Sequence, residues 1–378
     1  MARHRHRNRD RDKGSSIVVK PTILGKSRPV ILGIMAFLVS FLLFSLWRSS
    51  GLRSPLQAGM EMSQLGMRLV PGGEFTMGSD DPASTPAERP PHRVQVAPFW
   101  IDETEITNRQ FQAFVDATSY KTMAERPVDL DTLMKQLPPG TPPPPPEKLV
   151  PGSLVFHPPA GRVSLDNHML WWEWRTGVDW RHPEGPGSSI EGKADHPVVH
   201  VSWEDAETYA KWAGKRLPTE AEWEFAARGG LDGTRYVWGD TPPEQGPSRA
   251  NLWQGDFPSV NLGVDGYPRT SPVKTFPPNG YGLYDMSGNV WEFTADWFRV
   301  DTFAELAAHG VAVNPIGPAS SLDPNEPYAP KRVQKGGSFL CNEVYCTGYR
   351  PSARMACSLD TGMSHTGFRC VMDVPKLK

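Results

Sequence analysis

The chain has 378 residues, of which 10% are aromatic, and its 35 Gly and 39 Pro together approach a fifth of the total. This mixture argues against a regular helical bundle or a doubly wound sheet and is typical of a compact fold with many turns and irregular segments. The formal net charge is −2, but residues 1–28 contain nine Lys/Arg and two Asp, which leaves −9 on the remainder. An acidic main domain argues against a nucleic-acid partner.

An apolar run from Val30 to Trp47 contains 18 residues and no charged side chain. A helix rises about 1.5 Å per residue, so this run nearly crosses a hydrocarbon core. Basic residues precede it, and the positive-inside rule then predicts a cytoplasmic tail (1–28), a transmembrane signal anchor (29–47) and a linker (48–65). The main domain would lie outside the membrane, in the periplasm if the source is bacterial. A cleavable signal peptide and a buried core helix are the alternatives.

Three helix starts in the main domain carry a capping box, in which a Ser or Thr and a residue three positions later exchange hydrogen bonds with the backbone. The pairs are Thr107 with Gln110, Ser202 with Asp205, and Thr219 with Glu222. Apolar residues after each cap recur at helical spacing, which predicts helices that pack on the core through one face. Beyond Arg235 we expect short strands and loops, with one short helix near 303–309.

Residues 138–146 read PPGTPPPPP, which is typical of a polyproline-type spacer. The spacer lies in an insertion of about 120–195, which we expect to be a surface excursion. The chain is therefore predicted to form a single α+β domain over 66–375, with little regular secondary structure.

All four cysteines, Cys341, Cys346, Cys357 and Cys370, lie in the last 38 residues. In a domain outside the membrane, one or two structural disulfides are the simplest interpretation. The four residues between Cys341 and Cys346 match neither a redox CxxC nor a standard zinc motif. Two thiolates without further protein ligands suit a soft ion such as Cu(I). The spacing alone leaves both interpretations open.

The main domain contains five characteristic stretches, which follow one another along the chain in this order: GGEFTMGSD, RLPTEAEWEFAARGG, GLYDMSGNVWE, GGSFLCNEVYCTGYRPSAR and TGFRC. In these stretches the chain, from about Met67 to Asp373, resembles the formylglycine-generating enzymes, also called sulfatase-modifying factors. The scaffold stretches identify only the broad superfamily, which includes non-catalytic modules, whereas GGSxxCxxxxC is where the active oxidases carry their copper-binding cysteines. The resemblance implies an α+β fold of the C-type-lectin-like superfamily.

The resemblance also implies an oxidase that uses Cu(I) and O2 to convert the cysteine of a Cys-X-Pro-X-Arg motif in sulfatase polypeptides to Cα-formylglycine. Cys341 and Cys346 would hold the copper, which supplies the O2 chemistry while the protein orients the substrate. Ser338 and Tyr345 would place hydroxyl groups beside the metal. A non-catalytic binding module is the alternative function, and the presence of both cysteines counts against it.

Two structural calcium sites are implied by the same resemblance, each with the oxygen ligands that this hard cation requires. The first would use the side chains of Asn251 and Asp265 and the carbonyl groups of Leu252 and Tyr267. The second would use the side chains of Asp285 and Glu292 and the carbonyl groups of Gly288 and Val290.

Two departures from the family pattern concern the cysteines. Asn342, Glu343 and Val344 stand between the first pair, where some members have His-Arg, and we expect Glu343 to affect how the substrate peptide is held. Animal members link the second helix to the last cysteine by a disulfide, but that helix position is Ala210 here. Cys370 therefore either pairs with Cys357 or stays free.

Overall fold

The computed structural model describes residues 66–375 of the chain. Within this range no helix is both long enough and apolar enough to cross a membrane. This finding corrects the prediction of a single-pass membrane protein with an extracytoplasmic domain, and the prediction of a transmembrane helix preceding the fold. The predicted tail, signal anchor and linker, residues 1–65, lie outside the described residues.

The described range contains five α-helices, and three of them begin where the capping boxes predict. The helices are α1 (Asn108–Thr118), α2 (Leu130–Lys135), α3 (Trp203–Trp212), α4 (Glu220–Arg228) and α5 (Thr302–Ala307). The capping boxes of α1, α3 and α4 are all formed, and in α4 the Thr219 hydroxyl accepts a hydrogen bond from the backbone N–H of Glu222 at 3.1 Å. Helix α5 confirms the short helix expected near 303–309.

Short strands make up four small sheets in residues 66–375. In chain order they are β1 (Met67–Val70), β2 (Gly73–Met77), β3 (His92–Val96), β4 (Phe99–Asp102), β5 (Gly152–Phe156), β6 (Trp172–Thr176), β7 (Trp291–Trp297), β8 (Ala312–Val313), β9 (Lys331–Lys335), β10 (Met355–Ser358), β11 (Thr366–Gly367) and β12 (Val371–Asp373). The sheet orders are β1-β4-β12, β10-β9-β7-β11, β2-β3-β8 and β5-β6. All pairs are antiparallel except β7 with β11 and β3 with β8. The described part of the chain is therefore a mixed α/β domain with few helices.

Helix α4 packs against the sheet that leads to the cysteine segment. Trp223 is fully buried, and its indole N–H donates to Glu292 Oε2 of β7 at 2.8 Å. Burying an aromatic side chain of this size stabilises the fold by roughly 1.5–3 kcal/mol. The turn after β9 lies against the same ring, since a Cβ on Gly336 would be 2.9 Å from it. Helix α4 thus packs, through Trp223, against the first residue of the cysteine segment (336–346).

The insertion of about 120–195 is only partly a surface excursion. Its polyproline stretch is largely exposed, as expected, but strands β5 and β6 form a hairpin whose apolar side chains enter the core. His200 ties this hairpin to the domain: its Nδ1 is 2.9 Å from Ser153 Oγ, and its Nε2 is 2.9 Å from the Pro183 carbonyl oxygen. Burial lowers the pKa of His200 to about 4, so the imidazole is neutral. The insertion is a fixed part of the domain.

Candidate active site

Cys341 and Cys346 are joined by a disulfide, with their Cα atoms 4.6 Å apart. Cys341 is buried, its N–H donates to the Ser338 carbonyl at 2.9 Å, and its own carbonyl accepts from the Trp253 N–H at 3.0 Å. Cys346 lies on a partly exposed turn, where its N–H donates to the Asn342 carbonyl at 3.1 Å. One cysteine is therefore fixed in the core, whereas the other depends on the loop between them.

Two glycines shape the turn that brings Cys341 to this position. Gly336 and Gly337 follow β9 with φ angles of +94° and +70°, which other residues rarely adopt. A Cβ on Gly337 would also lie 2.6 Å from the backbone nitrogen of Tyr349. Lys335, at the end of β9, is fully buried and donates to Glu224 Oε2 at 3.0 Å. This ion pair and the tight glycine turn determine where the cysteine segment starts.

A cavity of about 350 Å³ lies beside the disulfide. Ser338 and Tyr345, which the sequence analysis named with the cysteines, both border it, as does Trp291 of β7. Trp171 and Trp172 border it from the insertion. The structure thus brings the four predicted residues of the cysteine segment together in one cavity, with aromatic side chains from distant parts of the chain.

The two hydroxyl groups at this cavity have different surroundings. Ser338 is fully buried; its Oγ accepts from the Leu340 N–H at 3.3 Å, and its own N–H lies 3.4 Å from Cys341 Sγ. The Tyr345 ring stacks on Phe257 with centroids 4.6 Å apart, and burial raises the pKa of its hydroxyl. The Tyr345 hydroxyl is therefore protonated at neutral pH and can donate a hydrogen bond.

Gly348 is a site residue that the sequence analysis did not name. A Cβ there would lie 2.4 Å from the Trp291 indole and 3.2 Å from Cys346 Sγ. The backbone therefore passes closely between this ring and the sulfur atom, which only glycine permits. Nothing in the local sequence indicates this contact, because Trp291 is distant along the chain.

His365 is a second cavity residue that the sequence analysis did not name. Its ring centroid is 4.8 Å from that of Trp172, and its Nδ1 is 3.2 Å from the Thr366 hydroxyl oxygen. Burial, and then the nearby His200, lower the pKa of His365 to about 3. The imidazole is therefore neutral at physiological pH, so it acts as a hydrogen-bonding group and carries no positive charge.

Comparison with known proteins places this site in a family. Residues 55–374 match the family described as "Sulfatase-modifying factor enzyme 1-like domain". The chain belongs to the sulfatase-modifying factor family. It is 47% identical over 322 residues to a "Formylglycine-generating enzyme" of Thermomonospora curvata (84% of this chain, 97% of the relative). It is 42% identical over 311 residues to the protein of that name from Bos taurus (80% of this chain, 74% of the relative).

The family also contains a relative with a different description. "Inactive C-alpha-formylglycine-generating enzyme 2" of Bos taurus is 39% identical over 313 residues, which cover 80% of this chain and 87% of that protein. The predicted family is thus confirmed, while family membership alone does not distinguish an active member from an inactive one. That distinction depends on the residues of the site.

The sulfur atoms of Cys341 and Cys346 are two potential ligand atoms for a metal ion. Within residues 66–375 no group of three or more His, Cys, Asp or Glu side chains is placed to hold a metal ion. A zinc site in a protein requires three or four such side chains as ligands. Once a thiol reductant has opened the disulfide by supplying two electrons, the two neighbouring thiolates fit a soft ion of low coordination number, such as Cu(I).

The first predicted calcium set contains two side-chain oxygen atoms without a hydrogen-bond partner in the described residues. Asn251 donates through Nδ2 to the Arg269 carbonyl at 2.8 Å, and Asp265 accepts through Oδ1 from the Tyr267 N–H at 3.0 Å. The remaining atoms, Asn251 Oδ1 and Asp265 Oδ2, are buried without a hydrogen-bond partner in the described part of the chain. Burial raises the pKa of Asp265, while the backbone N–H groups of Tyr267 and Leu252 oppose this effect. Such an arrangement fits a hard cation.

The second predicted calcium set fits a cation less well. Both oxygens of Glu292 already accept hydrogen bonds from Arg369, at 2.7 Å each. Burial raises the pKa of Asp285 to about 6, and Glu292 adds to this effect. Glu105, which sequence reasoning missed, is fully buried nearby with Oε2 unpaired among the described residues, and its pKa is raised by burial and by Asp285. Arg369 is ion-paired with Glu292, and its positive charge also opposes the raised pKa values of Asp285 and Glu105.

Cys357 and Cys370 are free thiols. Cys370 is buried in the core, where its backbone N–H donates to Asp102 Oδ2 at 2.9 Å. Burial raises the pKa of the Cys357 thiol to about 12, and its sulfur lies 3.4 Å from the Arg332 carbonyl oxygen. Of the two alternatives left open for Cys370, the structure has the free thiol.

Proposed function

We propose that this chain is an oxidase that converts the cysteine of a Cys-X-Pro-X-Arg motif in sulfatase polypeptides to Cα-formylglycine with O2 and copper. One observation carries the proposal: Cys341 and Cys346 place their sulfur atoms together beside a cavity, in a chain 47% identical to a relative named for this activity. The proposal includes a fold of the C-type-lectin-like superfamily. A non-catalytic binding module remains the alternative.

In this proposal Cys341 and Cys346, after a thiol reductant has opened their disulfide to two thiolates, would hold Cu(I), which when bound would supply the chemistry with O2. Cys341 keeps one thiolate at a constant position because its backbone is hydrogen-bonded on both sides. Ser338 and Tyr345 offer hydroxyl groups at the same cavity, where they can bind and orient polar atoms of the reactants. Trp291 is almost fully buried and shields the sulfur of Cys346 from water on one side.

The substrate would bind as an extended segment, with its cysteine side chain in the cavity. A volume of about 350 Å³ accommodates a cysteine side chain and parts of its neighbours. Aromatic side chains supply apolar contact area and exclude water, which keeps the substrate thiol in a defined position. The neutral His365 offers a hydrogen bond without adding positive charge.

The decisive experiment is the conversion of a peptide. The purified protein is kept in a thiol reductant, which opens the disulfide and supplies the two further electrons that reduction of O2 to water requires. Loaded with Cu(I) and supplied with O2, it should convert a Cys-X-Pro-X-Arg peptide to the aldehyde with release of sulfide, and mass spectrometry detects the aldehyde directly and after capture with a hydrazide. The same peptide with Ser in place of Cys is the control and should stay unchanged. A cysteine peptide that binds but stays unchanged, with copper bound and O2 present, would favour the non-catalytic module.

We also propose that Ca²⁺ binds at the first predicted set, between Asn251 and Asp265, with the Leu252 and Tyr267 carbonyls. The two unpaired buried oxygens support this, because a buried carboxylate oxygen without a hydrogen-bond partner or a cation is costly. A cation there would tie two loops together in a fold with little regular structure. The second set stays a prediction, since Arg369 already engages Glu292.

Calcium should stabilise the protein through Asp265. At a concentration of 100 times the dissociation constant, Ca²⁺ should raise the free energy of unfolding by about 2.7 kcal/mol, as measured by thermal or denaturant unfolding. Asp265→Asn should lose most of this gain, yet without calcium it should be at least as stable as the parent, because it removes a half-buried charge. Asp195→Asn, at an exposed carboxylate, is the control. An undiminished response to calcium in Asp265→Asn would contradict the site.

A further inference from the structure

Glu343, in the loop between the two cysteines, binds two residues from outside the loop. Its Oε1 accepts a hydrogen bond from Arg235 Nη2 at 2.8 Å, and its Oε2 accepts from the Tyr349 hydroxyl at 2.7 Å. Glu343 does not border the cavity that contains Ser338, but a separate cavity on the other side of the loop. We expected Glu343 to affect how the substrate peptide is held. In the structure its side chain binds Arg235 and Tyr349 instead of facing the cavity beside the disulfide.

The two partners of Glu343 are themselves firmly held. Tyr349 is fully buried, its ring stacks on Tyr236 with centroids 5.8 Å apart, and its carbonyl accepts from the Ser287 hydroxyl at 2.8 Å. Burial raises the pKa of Tyr349, and Glu343 adds to the effect, so its hydroxyl stays protonated as a donor. Arg235 forms a second ion pair, with its Nε 3.3 Å from Asp81 Oδ2.

The loop has internal hydrogen bonds and the disulfide at its base, and it is held from outside at two places. Val344 at its tip is 80% exposed. On the cavity side the loop is held by Tyr345, whose ring stacks on Phe257. On the opposite side it is held by Glu343. In the structure the disulfide itself holds the two sulfur atoms together. Once the disulfide is reduced, Cys341 stays fixed by its own backbone hydrogen bonds, and the separation of the two sulfur atoms then depends on how these two anchors hold Cys346.

We propose that Glu343 is a positioning residue of the copper site: by binding Arg235 and Tyr349 it holds the loop that carries Cys346, and so keeps the two sulfur atoms close enough to act as one site. This inference rests on the proposed function. A loop released from Glu343 samples more conformations, and the second thiolate then meets the first, or a metal bound to it, less often. Groups that orient metal ligands typically contribute about 10–100-fold in affinity.

Two readouts on the purified full chain test the inference. The dissociation constant for Cu(I), measured by competition with a coloured chelator, should rise about 10–100-fold in Glu343→Ala and less in Glu343→Gln, which keeps the shape of the side chain. The equilibrium between disulfide and dithiol, measured without metal in glutathione buffers, should shift toward the dithiol by about tenfold in Glu343→Ala. Thermal unfolding should change little, because the side chain is 47% exposed.

Charge reversal separates a specific pairing from a general loss of charge. Glu343→Arg and Arg235→Glu should each raise the dissociation constant for Cu(I) and shift the equilibrium toward the dithiol. The double reversal should recover part of this loss, because opposite charges face each other again at the loop, but not all of it, because the carboxylate at position 235 then faces Asp81. Tyr349→Phe, which removes only the hydroxyl, should show a smaller loss. Glu305→Gln, at a mostly exposed carboxylate in α5, is the control and should match the parent.

The outcomes distinguish this inference from the proposed function. If the parent binds Cu(I) tightly and the Glu343 variants bind equally well, the positioning role is wrong and the proposed function stands. If the parent binds no Cu(I), the proposed function fails. The disulfide equilibrium then decides the positioning role by itself, and an unchanged equilibrium in Glu343→Ala overturns it.

Discussion

Cys346→Ser should reduce the conversion of a Cys-X-Pro-X-Arg peptide to the level measured without protein, and it should abolish Cu(I) binding at the cysteine pair. The physical reason is the donor set: Cys341 and Cys346 are its two sulfur atoms, and a serine hydroxyl is a poor ligand for a soft ion. The parent and variant are compared by mass spectrometry of the peptide and by competition with a Cu(I) chelator. Copper affinity that survives in Cys346→Ser would remove the two-thiolate site.

Cys370→Ala is the matched control, because it also removes one thiol. Cys370 lies in the core beside Phe368 and Tyr209, and its structural interaction with Asp102 is made by the backbone. The variant should therefore keep copper binding and peptide conversion, with a loss of about 1 kcal/mol in the free energy of unfolding. Equal loss of activity in both variants would point to the fold and not to the copper site.

Arg369→Met should lower the free energy of unfolding by roughly 3–5 kcal/mol, because it leaves a buried carboxylate without its cation. Arg369 is fully buried, binds both oxygens of Glu292 at 2.7 Å, and donates to the Tyr284 carbonyl at 3.0 Å. The carboxyl groups of Asp285 and Glu105 lie close by, with raised pKa values. Denaturant unfolding at pH 7 measures the loss.

The pH dependence of this loss has a definite sign. Without Arg369, the buried carboxyl groups have higher pKa values in the folded than in the unfolded state, so the folded state binds more protons. Stability of the variant should then rise as the pH falls from 7 toward 5, and the difference from the parent should shrink. Arg162→Met is the control, because it breaks an ion pair of 2.6 Å with Asp256 that is solvent-exposed, and it should change stability little. Equal losses in the two variants would contradict the argument.

The parts of the fold that could be predicted depend on contacts between residues near in sequence. Each capping box joins a residue to one three positions later, so Thr107, Ser202 and Thr219 correctly marked three helix starts. The cysteine pair is similarly local, since four residues separate Cys341 from Cys346. The predicted membrane location was wrong on the described residues, where no helix could cross a membrane.

The remainder of the site could not be predicted, because it is built from contacts between distant segments. Glu343 meets Arg235 across 108 positions, and no local pattern announces such a partner. Glu105 precedes a helix cap and looks like an ordinary acidic residue at a helix start, yet it is buried beside Asp285. The insertion was expected at the surface, but its hairpin brings Trp171 and Trp172 to the cavity.

For this protein, the sequence alone determined the family, the helix starts and the pair of cysteines beside Ser338 and Tyr345. These follow from residue types at short, definite spacings, whose hydrogen bonds and sulfur contacts form within one segment. Only the tertiary structure decided that Cys341 is fixed while Cys346 depends on a loop held by Glu343, and that Arg369 is the cation among buried carboxylates. Burial and charge pairing act across the whole fold, so they exist only once distant segments have packed together.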